Sequence, residues 1–212
     1  MTASACGLSS QIRYVTDPPA SGEVLYSDDF SARGSWDTWS DDSSIVDYST
    51  GGLRFFINQT GYDYWSIVDE YFLDTTIDVD VTKINGPDDN RFGVLCRYQD
   101  EKNYYQVSLK NNQFAIGMVV DGKLTPLTEP YWKDSQFIGA DGLPGGANVT
   151  VTCQGSSIGL SIEGMGEIPL LSDPENHFQH GKVALFAAPA ENITDEFYSF
   201  VAFNNLTIEI IQ

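Results

Sequence analysis

Positive charge, histidine and sulfur are all scarce in this chain. Among 212 residues, eleven are Lys or Arg against thirty Asp or Glu, a formal charge of −19. So acidic a protein repels nucleic acid phosphates and anionic lipid headgroups, which leaves neutral, cationic or metal-bridged partners. The plainest role of the charge is to keep the protein soluble. The two histidines, His177 and His180, sit in Asn-His-Phe-Gln-His-Gly with no serine or cysteine motif to pair with. A zinc site needs more ligands than that, so the segment reads as a polar loop. There are no heptads, no long helix and no transmembrane run. No phosphate-cradling glycine loop or EF-hand repeat is present either.

What is present is β-structure. Hydrophobic residues make up 42% and aromatics 13%, enough to bury one sizeable core. The most organised stretch runs from Asn90 to Val120. Read in steps of two, Phe92, Val94, Cys96 and Tyr98 share a face, followed by Tyr105, Val107 and Leu109, then Phe114, Ile116, Met118 and Val120. A two-residue turn at Asn111-Asn112 sets Lys110 opposite Gln113, Leu109 against Phe114 and Val107 against Ile116; a slip of one residue would oppose apolar to polar side chains. Thr76 to Thr82 also alternates and returns through Asn85 to Asp89, so a four-stranded antiparallel meander is expected. Its outward rows then read Asp78, Arg97, Gln106, Gly117 and Asp80, Leu95, Ser108, Ala115. The small residues Gly93, Ser108, Ala115 and Gly117 would leave a shallow depression bordered by Arg97, Tyr104, Gln106 and Lys110. These four are the candidate ligand-binding residues: an aromatic ring with amide and charged donors beside it. The other reading is an ordinary solvated face carrying an Asp78–Arg97 pair. Tyr131 and Trp132, in the Pro- and Gly-rich loop that follows, are placed to fill the depression instead.

Along the rest of the chain, short strands alternate with turn signals. They include Val24-Leu25-Tyr26, Gly52 to Ile57, Tyr64 to Val68, a hairpin of Asn148 to Cys153 with Ile158 to Ile162, Gly181 to Ala187, and Phe197 to Ile211. That spacing implies an all-β sandwich. Residues 1–22 read as a lipoprotein-like N-terminus and flexible tether, with Ala3-Ser4-Ala5 before Cys6 as the lipidation candidate, and residues 23–212 as one domain. Setting Cys6 aside leaves Cys96 and Cys153, each in phase with apolar strand neighbours. A disulfide between them is expected, two buried thiols being the alternative.

Ser27-Asp28-Asp29-Phe30-Ser31, the tryptophan loop after it, Asn148 to Gly164, Gly181 to Ala187 and Phe203 to Ile208 together resemble the laminin-G-like, concanavalin A-like jelly roll of bacterial surface lipoproteins. The resemblance implies two curved antiparallel sheets, a concave face that often binds carbohydrate, and a structural calcium ion. The calcium candidates are Asp28 and Asp29 with Asn204 and Asn205, although the last strand reads Phe-Asn-Asn where Phe-Asp-Asn is common. Related hydrolases carry Glu-x-Asp-x-Glu on one strand; here Thr76 and Thr82 stand near Asp78 and Asp80, which lie about 6.6 to 6.8 Å apart by strand rise. Retaining hydrolysis needs about 5 to 5.5 Å and a paired acid and nucleophile, so these aspartates read as a solvated edge. Asn58, Asn148, Asn192 and Asn205 each begin an Asn-x-Thr triplet, a chance occurrence if the chain is bacterial. The expected function is a non-enzymatic, extracellular, lipid-anchored carbohydrate-binding module. A protein-contact or assembly domain is the alternative, and a glycosidase the distant one.

Overall fold

The computed structural model describes residues 20–135, 138, 146–190 and 199–211. Cys6 and Asn192 therefore lie outside the described residues. Those described form two antiparallel sheets and no helix. Sheet A runs, edge to edge, β14 (Gly166–Ser172), β13 (Ser157–Ile162), β12 (Ala147–Gln154), β6 (Thr75–Asn85), β16 (Ser199–Ile210), β4 (Gly52–Ile57), β3 (Ser44–Ser49) and β2 (Trp39–Ser40), with β1 (Val24–Asp28) also on β16. Sheet B runs β10 (Lys123–Pro126), β9 (Gln113–Val120), β8 (Asn103–Lys110), β7 (Arg91–Asp100), β15 (Gly181–Ala188) and β5 (Tyr64–Phe72), with β11 (Lys133–Asp134) on β9.

The inner faces interlock as strict alternation requires. Leu53, Phe55, Ile57, Ile77, Val79, Val81, Val149, Val151 and Phe203 of sheet A meet Phe92, Val94, Tyr105, Val107, Leu109 and Ile116 of sheet B in one buried cluster. The Asn111-Asn112 turn and its register are as expected: Lys110 faces Gln113, Leu109 faces Phe114 and Val107 faces Ile116. Cys96 and Cys153 form a disulfide that ties β7 of one sheet to β12 of the other.

Two expectations are corrected. β6 does not pair with β7; it lies in the middle of sheet A between β12 and β16, so the meander is β7 to β10. The burial pattern explains the split, because β6 alternates buried with half-buried while β7 is buried on both faces from Phe92 to Tyr98. Asp78 and Asp80 consequently project from sheet A, bonded to Thr150 and to Asn148 and Asn205. The Asp78–Arg97 pair does not exist.

The second correction concerns phase. Leu95 to Tyr98 of β7 span the same length as Ala184 to Lys182 of β15, which is one residue too many. Arg97 takes the excess with φ 50°, a bulge that reverses the alternation beyond it. Cys96 faces the core as expected, Tyr98 turns outward, and Arg97 turns in. Gly181 makes the bulge possible, since a Cβ there would collide with the Arg97 backbone.

The histidine segment is an anchored turn. Asp173, fully buried, accepts hydrogen bonds from Tyr105 Oη (2.6 Å), His177 N (2.8 Å), His177 Nδ1 (2.9 Å) and Glu175 N (3.1 Å). Burial alone would raise its carboxyl pKa; the four donors outweigh it and hold the group down at about 2. The folded pKa lies below the unfolded one, so this stabilisation is complete above about pH 4 and is lost as pH falls toward 2. Asp173→Asn should cost roughly 2 kcal/mol at pH 7, and the gap from the parent should close in urea unfolding at low pH. A gap that does not change with pH would show that the carboxylate charge is not what stabilises the turn.

Candidate functional site

Residues on the outward side of sheet B form a second apolar cluster, Leu95, Tyr98, Tyr104, Val119, Ala184, Phe186 and Ala188, with Trp65 and Ile67 packed against it. Strand pairing sets its rows. Trp65, Phe186, Gly93, Ser108 and Ala115 form one; Ile67, Ala184, Leu95, Gln106 and Gly117 form the next. Gln106 to Gly117 and Ser108 to Ala115 match expectation. The positions taken from β7 are displaced by two residues, because the bulge puts Leu95 where Arg97 was expected.

Three rings stand together on this face. Trp65 lies 6.1 Å from both Tyr98 and Tyr104, and the two tyrosines stack at 6.0 Å with planes 20° apart. Tyr131 is the fourth. Its hydroxyl accepts from Gln106 Nε2 at 2.5 Å, and its ring lies over Gly117, within 3.3 Å of where a Cβ would stand. The depression expected at Gly117 is thus filled by Leu124 and Tyr131, and at Gly93 by Phe186. Gly93 itself is obligatory, because a Cβ there would strike the Val107 carbonyl.

The candidate ligand residues are distributed accordingly. Tyr104 and Gln106 lie on the expected face but beneath its surface, 7% and 5% exposed. Burial, and then the field of Asp63, push the Tyr104 hydroxyl up to about 12, so it stays protonated and can donate. Lys110 stands at the rim with its ammonium 4.5 Å from the Trp132 ring centre and 3.1 Å from Asp89. Arg97 is not on this face. It lies between the sheets, donating to the carbonyls of Gly155, Phe178 (2.6 Å) and Cys153 (3.4 Å) and pairing with Asp74 at 2.6 Å.

Sequence reasoning missed the groups that solvent does reach. Arg91 and Asp63 pair at 2.9 Å, each about 30% exposed, and Trp65, Tyr131 and Trp132 are half-buried. The alternation around Trp65 held the signal for its direction, since buried Ser66 and Val68 point the opposite way. Asp63 precedes β5 and Arg91 begins β7, so the pair left no local pattern. Burial also pushes up the pKa of Tyr131, with the Gln106 bond and the Arg91 charge acting against it. A ligand over this end of the sheet would meet aromatic faces, a guanidinium, a carboxylate and phenolic hydroxyls. From Arg91 to Tyr98 of β7, and along β8 and β15, the outward positions carry no carboxylate.

The calcium candidates make hydrogen bonds to different partners. Asp28 accepts from Phe30 N (2.7 Å) and the Tyr48 and Tyr26 hydroxyls (3.3 and 3.4 Å), and Asp29 accepts from Ser31 N (2.9 Å). Asn204 donates to the Gly51 carbonyl and Asn205 to Asp80. Calcium needs six to eight oxygen ligands converging on one point, and both asparagines keep Oδ1 outside the bonds just given. Among the described residues no group of three or more His, Cys, Asp or Glu converges on a metal position.

The fold is a concanavalin A-like jelly-roll sandwich, and its likenesses are structural alone. No protein-family model matches the chain, and no curated protein matches it. Among solved structures it is similar to the carbohydrate-binding module CBM66 from Bacillus subtilis (TM-score 0.61, 14% identity, covering 82% of this chain and 95% of that one). It is similar also to a Bacillus licheniformis β-glucanase (TM-score 0.63, 11% identity, 88% and 98% covered). A third is the Crh5 transglycosylase (TM-score 0.64, 14% identity, 92% and 89% covered). One of these is a binding module and two are enzymes, so the fold by itself does not divide binding from catalysis.

Proposed function

We propose that this chain is an exported carbohydrate-binding domain without catalytic activity, its ligand held at the Trp65 and Arg91 end of the outward face of sheet B. One observation carries the reading: Trp65, Tyr131 and Trp132 lie half-exposed on the same sheet face as the Arg91–Asp63 pair, with Tyr104 and Gln106 bracing them from below. Aromatic faces take the C–H side of a sugar ring, and the paired charges share its hydroxyls. The fold likeness to a carbohydrate-binding module supports the ligand class. Support for a non-catalytic role is chemical, since glycoside hydrolysis uses two facing carboxyl groups, whereas the two carboxylates described near this face, Asp63 and Asp89, are each paired with a cation, Arg91 and Lys110. Export accords with the buried disulfide, a bond that persists in oxidising compartments.

Glycan-array screening followed by calorimetry tests this. Trp65→Ala and Arg91→Ala should each weaken binding by at least about tenfold, the loss of roughly 1.4 kcal/mol expected for one stacking or charge-assisted contact. Asp78→Asn, on the outward side of sheet A, should leave affinity unchanged. Equal affinity in the parent and both sheet B variants would place the ligand elsewhere. A second reading, a protein-contact domain, is favoured by the exposed Tyr71 and Leu73 at the end of edge strand β5, each 63% exposed. Concentration-dependent assembly without sugar would favour it.

A further inference from the structure

Four Asn-x-Thr triplets are more than composition accounts for. With eleven asparagines and fourteen threonines in 212 residues, fewer than one such triplet is expected by chance. Their placement is selective as well. Asn58 follows the last residue of β4, Asn148 is in β12 and Asn205 is in β16, all belonging to sheet A. Asn90, Asn103, Asn111 and Asn112 lie in or beside the strands of sheet B, and none of them begins a triplet. Among the described residues no strand of sheet B, which carries the proposed ligand face, holds an acceptor sequence; the fourth triplet, at Asn192, lies outside the described residues.

We infer that Asn58 and Asn205 are attachment sites for N-linked oligosaccharide, which would clothe sheet A and leave the outward face of sheet B free. Both residues are exposed. Asn205 stands where β16 breaks register between Asn204 and Thr207, at φ 48°, so its side chain rises from an irregularity rather than from a regular strand. Asn148 is half-buried within β12, between β13 and β6, and is not assigned.

The amide chemistry is compatible with both sites. Asn205 Nδ2 donates to Asp80 Oδ2 at 2.8 Å and Asn58 Nδ2 to the Asp42 carbonyl at 2.9 Å. Each bond uses one of two amide hydrogens. In transfer, Nδ2 attacks C1 of the reducing-end sugar of a lipid-pyrophosphate-linked oligosaccharide. The C1–O bond breaks, the lipid pyrophosphate leaves with the electron pair, and the amide gives up one proton; nothing is oxidised or reduced. The product keeps one N–H, enough for the bond each side chain makes in the fold.

Sheet A also has a use for such a cover. Ile45, Phe56 and Phe200 lie in one outward row, and the Phe56 and Phe200 rings meet edge to face at 5.9 Å. Ile45 is 42% exposed. Asn58 follows Phe56 by two residues, and an oligosaccharide rooted there would shield this apolar row from other chains.

The test is to secrete the full chain through a eukaryotic secretory pathway and release N-glycans enzymatically in heavy-oxygen water, which converts each occupied asparagine to labelled aspartate. Peptide mass spectrometry should find label at Asn58 and at Asn205. Thr60→Ala should remove the first label and Thr207→Ala the second, each without touching the asparagine itself. Secreted, disulfide-bonded protein with no label at either position would overturn the inference. Label at Asn148 in place of Asn205 would overturn the assignment to the bulge. Both readouts are independent of whether the sheet B face binds sugar.

Discussion

Arg97→Met should destabilise the fold by about 3 to 5 kcal/mol, the cost of breaking a buried ion pair from one side. The guanidinium is 1% exposed, and burial lowers its pKa while Asp74 works the other way. It is held by Asp74 and by three carbonyls, from Gly155, Phe178 and Cys153, which arrive from the β12–β13 turn, the segment before β15 and the end of β12. Methionine fills much of the volume but leaves those acceptors without donors, each worth about 1 to 3 kcal/mol when stranded. A melting temperature lowered by about 10 °C is expected for a domain of this size. Glycan affinity measured well below that temperature should not change, because Arg97 does not reach the outward face. A stable variant that has lost binding would put the side chain on the ligand after all.

Removing the disulfide should cost about as much. Cys96 and Cys153 are 57 residues apart in sequence, and closing a loop of that length restricts the unfolded chain by about 4 kcal/mol in the chain-entropy model. The Cys96→Ala, Cys153→Ala double variant should therefore show a lower denaturation midpoint in urea, and the native protein should take up no thiol label at either position. Both cysteines are buried, at 2% and 0% exposure, so reductant alone should act only once the domain opens. The Cys153 carbonyl is also an Arg97 partner, so the Arg97 and disulfide losses should not add. An unchanged midpoint on removing the cysteines would mean that the unfolded chain is already compact around this pair.

Wherever structure is decided between neighbours in sequence, the chain was legible. Alternation over Asn90 to Val120 determined which side chains of β8 and β9 enter the core, and the Asn-Asn turn determined their register, because period and turn length leave one arrangement that buries every apolar residue. The hairpin of β12 and β13 was legible for the same reason. The phase of Cys96 and Cys153 pointed to the disulfide that the fold contains.

Tertiary structure decided what depends on contacts between distant segments. β6 alternates as well as any strand of the meander, yet its partners are β12 and β16, and no local pattern states which sheet a half-buried strand will join. The bulge at Arg97 exists because one inserted residue lets a guanidinium reach carbonyls from three other segments, with Gly181 opposite making room. That single inversion took Arg97 off the candidate face and put Tyr98 onto it. The shape of the face was settled from outside the strands too: Tyr131, brought in by a loop, lies on Gly117 and bonds to Gln106, so the small residues that looked like a vacancy in sequence are the seat of an aromatic ring. Arg91 and Asp63 met only when β5 and β7 were laid on either side of β15, a juxtaposition set by sheet order and by nothing in either segment alone.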